Sequence, residues 1–342
     1  MGRLLSTTES TTEITTQVRP WRLDCHVAAG DDGGAADDLR RSLTAPSPTI
    51  SPRWFYDDAG CALFGRITDL AEYYQTRTEQ ALLDARMEAV VDAIHPTELV
   101  EIGSGAATKT RAILGAMARA GDLHRYIPFD ISPGTIARSA SALAVAYPGL
   151  RVHGVAGDFS RQLGKIPRRP AGGTRLVAFL GSTLGNLEPA QRRSMVRRLA
   201  RLLSPGDALL MGTDLAHDPA VLVRAYDDAP GVTAEFNRNI IRHINRAFEG
   251  DADPDSFVHE ARWNTRASRI EMHLRASRDI NWDLPGLDIR VHIPEGRTIR
   301  TEISCKFTAG GVAALYADAG LTPTMWDEDA LGRYAISVAV KD

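Results

Sequence analysis

The chain has 342 residues, which is enough for one large domain or two ordinary ones with a sizeable core. Its 44% hydrophobic and 24% charged residues are typical of a globular protein, and its net charge of −3 gives no attraction to nucleic acid or to an anionic membrane. Because the three cysteines are scattered and no zinc-ligand spacing, membrane-spanning run or signal peptide is visible, we expect a cytoplasmic protein without a disulfide framework or metal site.

The N-terminal region precedes any regular pattern. Residues 1–30 begin with many Ser, Thr and Glu and lack apolar periodicity, so we expect a disordered tail. The stretch DDGGAA at 31–36 predicts a loop before a short helix around Asp37–Leu43. Residues 52–83 then hold a large share of the aromatic side chains, namely Trp54, Phe55, Tyr56, Phe64, Tyr73 and Tyr74. These either cap the core or place tyrosine hydroxyls in a small-molecule pocket.

A glycine turn between a strand and a helix is the main signal in the sequence. Residues 98–114 read ELVEIGSGAATKTRAIL, which predicts a buried strand, a tight turn at Gly103-Ser104-Gly105 and a helix whose N-terminus faces the turn. Such a turn exposes backbone N–H groups to a ligand. A dinucleotide site normally has a third glycine, but Ala106 and Ala107 stand there instead, and S-adenosylmethionine has no phosphates that require it.

Two further strand ends carry acids that suit a nucleoside. Arg125–Ser132 reads RYIPFDIS, and Asp130 at the strand end is placed to accept hydrogen bonds from ribose hydroxyls. Gly154–Ser160 reads GVAGDFS, in which Asp158 would hold an adenine amino group and Phe159 would flank the ring. Because three strand ends in succession agree, we favour a nucleoside site that binds S-adenosylmethionine.

Strands and helices alternate through the middle of the chain. We predict strands at 98–102, 126–130, 151–155, 175–180 and 207–212, and helices at 78–93, 107–120, 133–146 and 189–203. This alternation predicts a doubly wound parallel sheet with its ligand at the carboxyl ends of the strands. The loop Gly181–Asn186 follows the fourth strand, and Asn186 is either a helix cap before Pro189 or a ligand contact.

The alternation is interrupted after Asp214. One or two helices are predicted over 218–248, three strand-like segments at 269–276, 287–293 and 298–307, then a helix at 310–319 and two closing strands, MWDE and RYAISVAV. A closing antiparallel hairpin suits a methyltransferase sheet. We therefore expect residues 78–215 and 307–342 to form a cofactor-binding domain, and residues 31–77 and 216–306 to form a smaller α+β substrate-binding domain.

Several long motifs give the chain a close resemblance to a known family. They are WFYD, EYYQTRTE, VEIGSG, IPFDIS, GDF, FLGSTLGNL, GTDL, RAYDDAPGVTAEFNRN, IEMHLRA and TEISCKF. Through them the chain resembles, from about Trp54 to Val340, the histidine Nα-methyltransferases of ergothioneine biosynthesis. The resemblance implies an α/β, Rossmann-like class I methyltransferase fold with a mostly parallel sheet and an antiparallel final strand. It also implies three successive methyl transfers from S-adenosylmethionine to the α-amino nitrogen of L-histidine, which yield trimethylhistidine (hercynine) and S-adenosylhomocysteine. We expect a monomer.

The resemblance implies site residues as well. Those for the cofactor are Gly103, Lys109, Asp130, Asp158 and Phe159. Those for the substrate are Tyr56, Tyr73, Gly181, Asn186, Tyr226, Met272, Glu302 and Ser304. By this resemblance Tyr73 and Tyr226 meet the substrate carboxylate, and Asn186 holds the α-amine near the Gly181 loop. Glu302 and Ser304 bond the imidazole, while Tyr56 and Met272 line its pocket. Asn186 and Tyr226 are the implied catalytic residues.

Three alternatives remain open at the level of sequence. The enzyme could methylate another amine such as tryptophan, although Glu302 and Met272 argue against a bulkier indole. It could be a nicotinamide-dependent oxidoreductase, but the third glycine and a catalytic dyad are missing. It could also bind S-adenosylmethionine without catalysis, as a sensor or partner protein.

Overall fold

The computed structural model describes residues 21–27 and 34–342. Most of the expected N-terminal tail and the first part of the DDGGAA loop lie outside the described residues. The expectation of disorder is wrong for Trp21–Cys25, which form strand β1 and pair in parallel with a strand at residues 151–156. Asp24 contributes to this pairing because its carboxylate lies 2.7 Å from Nε2 of His153 on that strand.

The strands of the described residues are numbered in chain order. They are β1 (Trp21–Cys25), β2 (Glu98–Ile102), β3 (Arg125–Asp130), β4 (Arg151–Ala156), β5 (Arg175–Phe179), β6 (Ala208–Asp214), β7 (Phe257–Asn264), β8 (Arg269–Ala276), β9 (Ile280–Leu284), β10 (Ile289–Ile293), β11 (Thr298–Cys305), β12 (Leu321–Glu328) and β13 (Tyr334–Lys341). The first five strands predicted within 98–212 are confirmed to within two residues at each end. Strands β7 and β9 were not predicted from the sequence.

The helices follow the same numbering. They are α1 (Ala35–Leu43), α2 (Asp58–Thr68), α3 (Gln75–Ile94), α4 (Thr110–Ala120), α5 (Pro133–Ala146), α6 (Phe159–Gln162), α7 (Pro189–Ala200), α8 (Pro219–Arg224), α9 (Val232–Phe248) and α10 (Ala309–Asp318). Helix α4 begins three residues later than predicted, because Ala107 has φ 55° and cannot belong to a right-handed helix. Among the described residues, no helix is long and apolar enough to span a bilayer.

The large sheet has eight strands in the order β1-β4-β3-β2-β5-β6-β13-β12. Neighbours from β1 to β6 are parallel, whereas β13 runs antiparallel to β6 and to β12. The predicted fold class is therefore confirmed: this is a Rossmann-like class I methyltransferase fold with an antiparallel final strand. Strand β2 lies in the middle, so the turn after it opens at the carboxyl edge where β3, β4 and β5 also end.

Two hydrophobic cores cover the two faces of the large sheet, because neighbouring residues of a buried strand point to opposite sides. Leu99 joins the core under α3 and α4, while Val100 joins the core under α7 and α10. A third core packs residues between 35 and 74 against residues between 222 and 299. This separate core supports the proposed division into two domains.

The segment predicted to form the smaller domain contains a three-stranded antiparallel sheet in the order β11-β8-β7 and a two-stranded pair, β10-β9. Its strand β11 has an irregularity between Arg300 and Glu302, where the paired register skips Thr301. The end of β11 meets the end of β6, since the Phe307 N–H donates to the Asp214 carbonyl at 2.8 Å. The smaller sheet is thereby held against the carboxyl edge of the large one.

Candidate active site

The glycine turn after β2 is tied back to β3 and leaves open space above its backbone. The Gly103 N–H donates to the Phe129 carbonyl at 2.8 Å, and the Gly105 N–H donates to Asp130 Oδ2 at 2.9 Å. Both glycines have positive φ, 72° and 49°, and a Cβ built on either would meet no atom within 4 Å. This bare, accessible main chain fits a ligand that lies directly against it.

Asp130 holds the turn and still has capacity for a ligand. Its Oδ1 accepts from the Ser132 N–H at 3.0 Å, and its Oδ2 accepts from Gly105. Burial raises the pKa of Asp130, against the opposing effect of these backbone donors. A carboxylate has about four lone-pair positions, so Asp130 can still accept from a ribose hydroxyl.

The end of β4 lies against the N-terminal part of the smaller domain. Asp158 caps α6 by accepting from the Ser160 N–H at 2.7 Å, and its other oxygen lies 3.6 Å from the Arg53 guanidinium. The Phe159 ring packs edge-on against Phe179, with their centroids 5.9 Å apart. The segment around Arg53 therefore borders the region where a nucleoside base would lie.

Glu79 on α3 connects the cofactor side to the loop after β5, and the sequence patterns did not predict it. Its fully buried carboxylate accepts a hydrogen bond from Lys109, from the Gly181 N–H at 2.9 Å and from the Tyr334 hydroxyl at 2.8 Å. A Cβ on Gly212 would lie 1.8 Å from Glu79 Oε1, so only glycine leaves room there. The available signal was a lone acid on a helix face that otherwise packs into the core.

Asn186 and Glu302 lie together on the substrate side. Asn186 Nδ2 donates to Glu302 Oε1 at 3.0 Å, across the gap between the loop after β5 and strand β11. Burial raises the pKa of Glu302 to about 7, although Lys306 and the bond from Asn186 act to lower it. Met272 lies directly opposite Glu302 in the β8–β11 pairing. A ligand that lies against Asn186, Glu302 and Met272 would meet an amide, a carboxyl and a thioether side chain.

Lys306 is the second residue that the sequence patterns did not predict. Its ammonium is fully buried and donates to Asp214 Oδ2 at 2.7 Å, to Ser304 Oγ at 2.8 Å and to the Tyr226 hydroxyl at 3.2 Å. The Tyr226 hydroxyl in turn donates to Ser304 Oγ at 2.7 Å. The signal was a lysine between Cys305 and Phe307 in an otherwise buried strand end.

Three tyrosines complete the substrate side. The rings of Tyr73 and Tyr226 meet edge-on with centroids 6.3 Å apart, and Tyr56 packs edge-on against Phe236 at 6.1 Å. Burial and nearby acidic groups, including Glu302, raise the pKa of both Tyr73 and Tyr226, so these phenols remain protonated donors. The Tyr226 hydroxyl hydrogen is directed at Ser304, so its contact with a substrate carboxylate stays a prediction.

The predicted residues thus fall into two adjacent groups. Gly103, Asp130, Asp158 and Phe159 lie along consecutive strand ends, while on the other side Asn186 bonds Glu302 and Tyr226 bonds Ser304. The loop Gly181–Asn186 is joined to the first side through Glu79, which accepts from both Gly181 and Lys109. The roles assigned to these residues stay predictions.

Comparison with known proteins gives matches along nearly the whole chain. A family model described as "Histidine-specific methyltransferase, SAM-dependent" matches residues 35–341. The chain is 47% identical over 304 residues to the "Histidine N-alpha-methyltransferase" of Mycolicibacterium smegmatis, a match that covers 89% of this chain and 94% of that protein. It is 44% identical over 315 residues to the protein of the same name from Mycobacterium tuberculosis, with 91% and 97% covered. The "Ergothioneine biosynthesis protein 1" of Neurospora crassa is 31% identical over 193 residues, which are 56% of this chain and 22% of that protein.

Proposed function

The chain belongs to the histidine-specific, S-adenosylmethionine-dependent methyltransferase family, and we propose that it transfers three methyl groups in succession to the α-amino nitrogen of L-histidine. The product is trimethylhistidine, made for ergothioneine biosynthesis. The two mycobacterial relatives are named for the histidine reaction and the Neurospora relative for the pathway, which supports this assignment.

The observation that carries the proposal is the loop Gly181–Asn186. At its first residue the Gly181 N–H bonds Glu79, whose carboxylate also pairs with Lys109 of the cofactor side. At its last residue Asn186 bonds Glu302 of the substrate side. An amine held by Asn186 is therefore held next to the cofactor, as transfer between two ligands requires.

On the cofactor side, the open turn at Gly103 and the acids at the next two strand ends fit S-adenosylmethionine. Asp130 has lone pairs for ribose hydroxyls, Asp158 and Phe159 flank the place of the base, and Lys109 supplies a cation for the amino-acid carboxylate. When bound, S-adenosylmethionine supplies a methyl group already activated by its sulfonium. The chain therefore needs to provide positioning, without a covalent nucleophile.

On the substrate side, the side chains suit each part of histidine. Tyr73 offers a protonated hydroxyl for the carboxylate, and Glu302 with Ser304 offers polar contacts for the imidazole. The α-amine must be neutral to attack, because an ammonium has no lone pair. Asn186 is a neutral partner, so it can hold the amine without trapping the cationic product as a carboxylate would.

The test is mass spectrometry of L-histidine incubated with the purified protein and S-adenosylmethionine. We expect mono-, di- and trimethylhistidine to appear in succession. Unmodified histidine in the presence of a protein that binds the cofactor would overturn the proposal, and accumulation of a monomethyl or dimethyl end product would overturn the three-step assignment. L-tryptophan run in parallel tests the alternative amine substrate.

A further inference from the structure

Lys306 fixes the direction of a hydrogen bond inside the substrate pocket. Its ammonium has three hydrogens and no lone pair, so it can only donate. The three acceptors around it, on Asp214, Ser304 and Tyr226, account for all three hydrogens at 2.7, 2.8 and 3.2 Å. The ammonium is fully buried, so the described surroundings leave it no exposed face toward solvent.

Asp214, the charged partner of Lys306, accepts hydrogen bonds from other donors as well. Asp214 also accepts from the Tyr74 hydroxyl at 2.6 Å and from Gln75 Nε2 at 3.2 Å, and Tyr74 lies 2.6 Å from Nε2 of His217. With donors on both of its oxygens, Asp214 remains an acceptor toward Lys306. One of the three partners of Lys306 is therefore a carboxylate that acts only as a hydrogen-bond acceptor.

These contacts determine which hydrogen-bonding capacity is left to the buried hydroxyl of Ser304. A hydroxyl has one hydrogen and two lone pairs. One lone pair accepts from Lys306 and the other accepts from the Tyr226 hydroxyl, which lies 2.7 Å away. The Ser304 hydrogen is thus the single hydrogen-bonding capacity that remains, and it is free to donate to a ligand.

Glu302 presents the opposite polarity. It lies two residues from Ser304 on β11, and Asn186 already donates to one of its oxygens. We propose that Lys306 is a positioning residue that makes Ser304 an obligatory donor, so that the pocket selects one neutral tautomer of the imidazole. The ring N–H bonds Glu302, and the unprotonated ring nitrogen accepts from Ser304. This inference rests on the proposed histidine substrate.

The deciding measurement is the ¹⁵N NMR spectrum of ring-labelled L-histidine bound to the wild-type protein with S-adenosylhomocysteine, which cannot transfer a methyl group. Protonated and unprotonated ring nitrogens have well separated shifts. We expect one of each, as a single tautomer, at pH 8, which is above the pKa of Glu302. Two protonated nitrogens at that pH, or the tautomer mixture of free histidine, would overturn the proposal.

A variant pair tests the part played by Lys306. Lys306→Met alone would leave Asp214 unpaired, so it is made in an Asp214→Asn background, with Asp214→Asn alone as the matched control. We expect the double variant to bind histidine at least about tenfold more weakly than the control and to lose the single tautomer, with S-adenosylhomocysteine affinity unchanged. An unchanged spectrum in the double variant contradicts a role for Lys306.

The outcomes separate this inference from the proposed function. If histidine is neither bound nor methylated, the substrate assignment fails and the inference fails with it. If histidine is methylated but its bound ring carries two N–H groups, only the inference fails. Should the double variant not fold, the wild-type spectrum still decides between these results.

Discussion

Two buried charges in the site, those of Glu79 and Lys306, have several partners each. Glu79 is bonded by an ammonium, a backbone N–H and a phenol, and Lys306 is bonded to a carboxylate and two hydroxyls. A buried ion without such partners would cost several kcal/mol, on the order of the whole margin of stability. Removing either charge should therefore have effects that reach beyond a single contact, because it leaves several buried groups without their partner.

Glu302→Ala should weaken histidine binding while leaving S-adenosylhomocysteine binding nearly intact. The change removes a buried carboxyl group that would bond the imidazole and that is held by Asn186. Losing a buried hydrogen bond to a charged group costs about 1.5–3 kcal/mol, equal to an affinity loss of about 10- to 150-fold. Titration calorimetry with each ligand measures both effects, with Glu302→Gln as the control that keeps shape and removes charge. An equal loss of both affinities would assign Glu302 a structural role.

Glu79→Ala should lower both stability and cofactor affinity. The change leaves the Gly181 N–H and the Tyr334 hydroxyl without their acceptor and Lys109 without its anion. We expect the free energy of unfolding to fall by about 3 kcal/mol, measured by urea denaturation, and S-adenosylhomocysteine to bind at least about tenfold more weakly.

Tyr334→Phe is the matched control for Glu79, since it removes a single neutral bond to the same carboxylate. It should lower the free energy of unfolding by about 1 kcal/mol and leave cofactor binding within about threefold. If both variants weaken cofactor binding equally, Glu79 does not act through Lys109.

At the scale of elements, the carboxyl edge of the sheet brings together groups that are far apart in sequence. Parallel strands end at one edge, so the parallel arrangement alone brings the turns after β2, β3 and β4 together there. The geometry of the turn after β2 depends on two glycines with positive φ. Glycine serves two purposes here, a left-handed backbone and the absence of a side chain, and the two can be separated.

Gly103→Ala and Gly121→Ala separate them. Both glycines have positive φ, 72° and 78°, and an added Cβ at either meets no protein atom within 4 Å. Both changes should therefore lower the free energy of unfolding by about 1–2 kcal/mol through backbone strain alone. Only Gly103→Ala places a methyl group where the cofactor would lie, so only it should weaken S-adenosylhomocysteine binding, by more than about tenfold. Equal affinities in the two variants would mean that the ligand does not approach Gly103.

The sequence predicted the parts of the site that follow from strand order. Gly103, Asp130 and Asp158 each end a strand whose apolar run is visible in the sequence, so their meeting at one edge was predictable. Lys109 was named through resemblance alone, because an isolated lysine has no periodic signal. Tyr56 also belonged to an aromatic-rich segment, which left open whether it caps the core or lines a pocket. Their roles stay predictions.

The residues that were missed have partners from distant segments. Glu79 meets Gly181 and Tyr334, which are 102 and 255 residues away, and Lys306 meets Asp214 across 92 residues. A pattern within a short stretch of sequence cannot predict hydrogen bonds between residues so far apart. What the sequence does show is a charged residue among buried neighbours, and such a residue needs a partner that only the fold supplies.

At the scale of the whole molecule, the substrate side depends on how the two sheets meet. Lys306 follows β11 of the smaller sheet, and Asp214 ends β6 of the large one, so their buried ion pair joins the two. The backbone bond from Phe307 to Asp214 lies at the same junction. The junction between the two sheets therefore combines a backbone hydrogen bond with a buried ion pair whose two members come from different sheets.

Glu101 is a buried acid of the large sheet whose ionisation is linked to folding. It lies on β2 and accepts from Thr110 Oγ1 at 2.5 Å and from the Tyr126 hydroxyl at 2.6 Å. Burial raises its pKa from the usual 4.5 to about 7, against the opposing effect of these two donors. Between those pH values the folded state binds a proton that the unfolded state has released. The contribution of Glu101 to stability is therefore fully present below about pH 4.5 and is lost as the pH rises through about 7.

Glu101→Gln removes this titration and resembles the protonated acid. The variant should accordingly gain stability relative to the wild type as the pH rises from 5 to 8, because only the wild type must then bury a carboxylate or hold its proton. Urea midpoints of both proteins at pH 5, 6, 7 and 8 give the difference in unfolding free energy. Buried histidines such as His259 and His273, whose pKa burial lowers, are present in both proteins and cancel in that difference. A difference that stays constant with pH would mean that Glu101 titrates alike in the folded and unfolded chain.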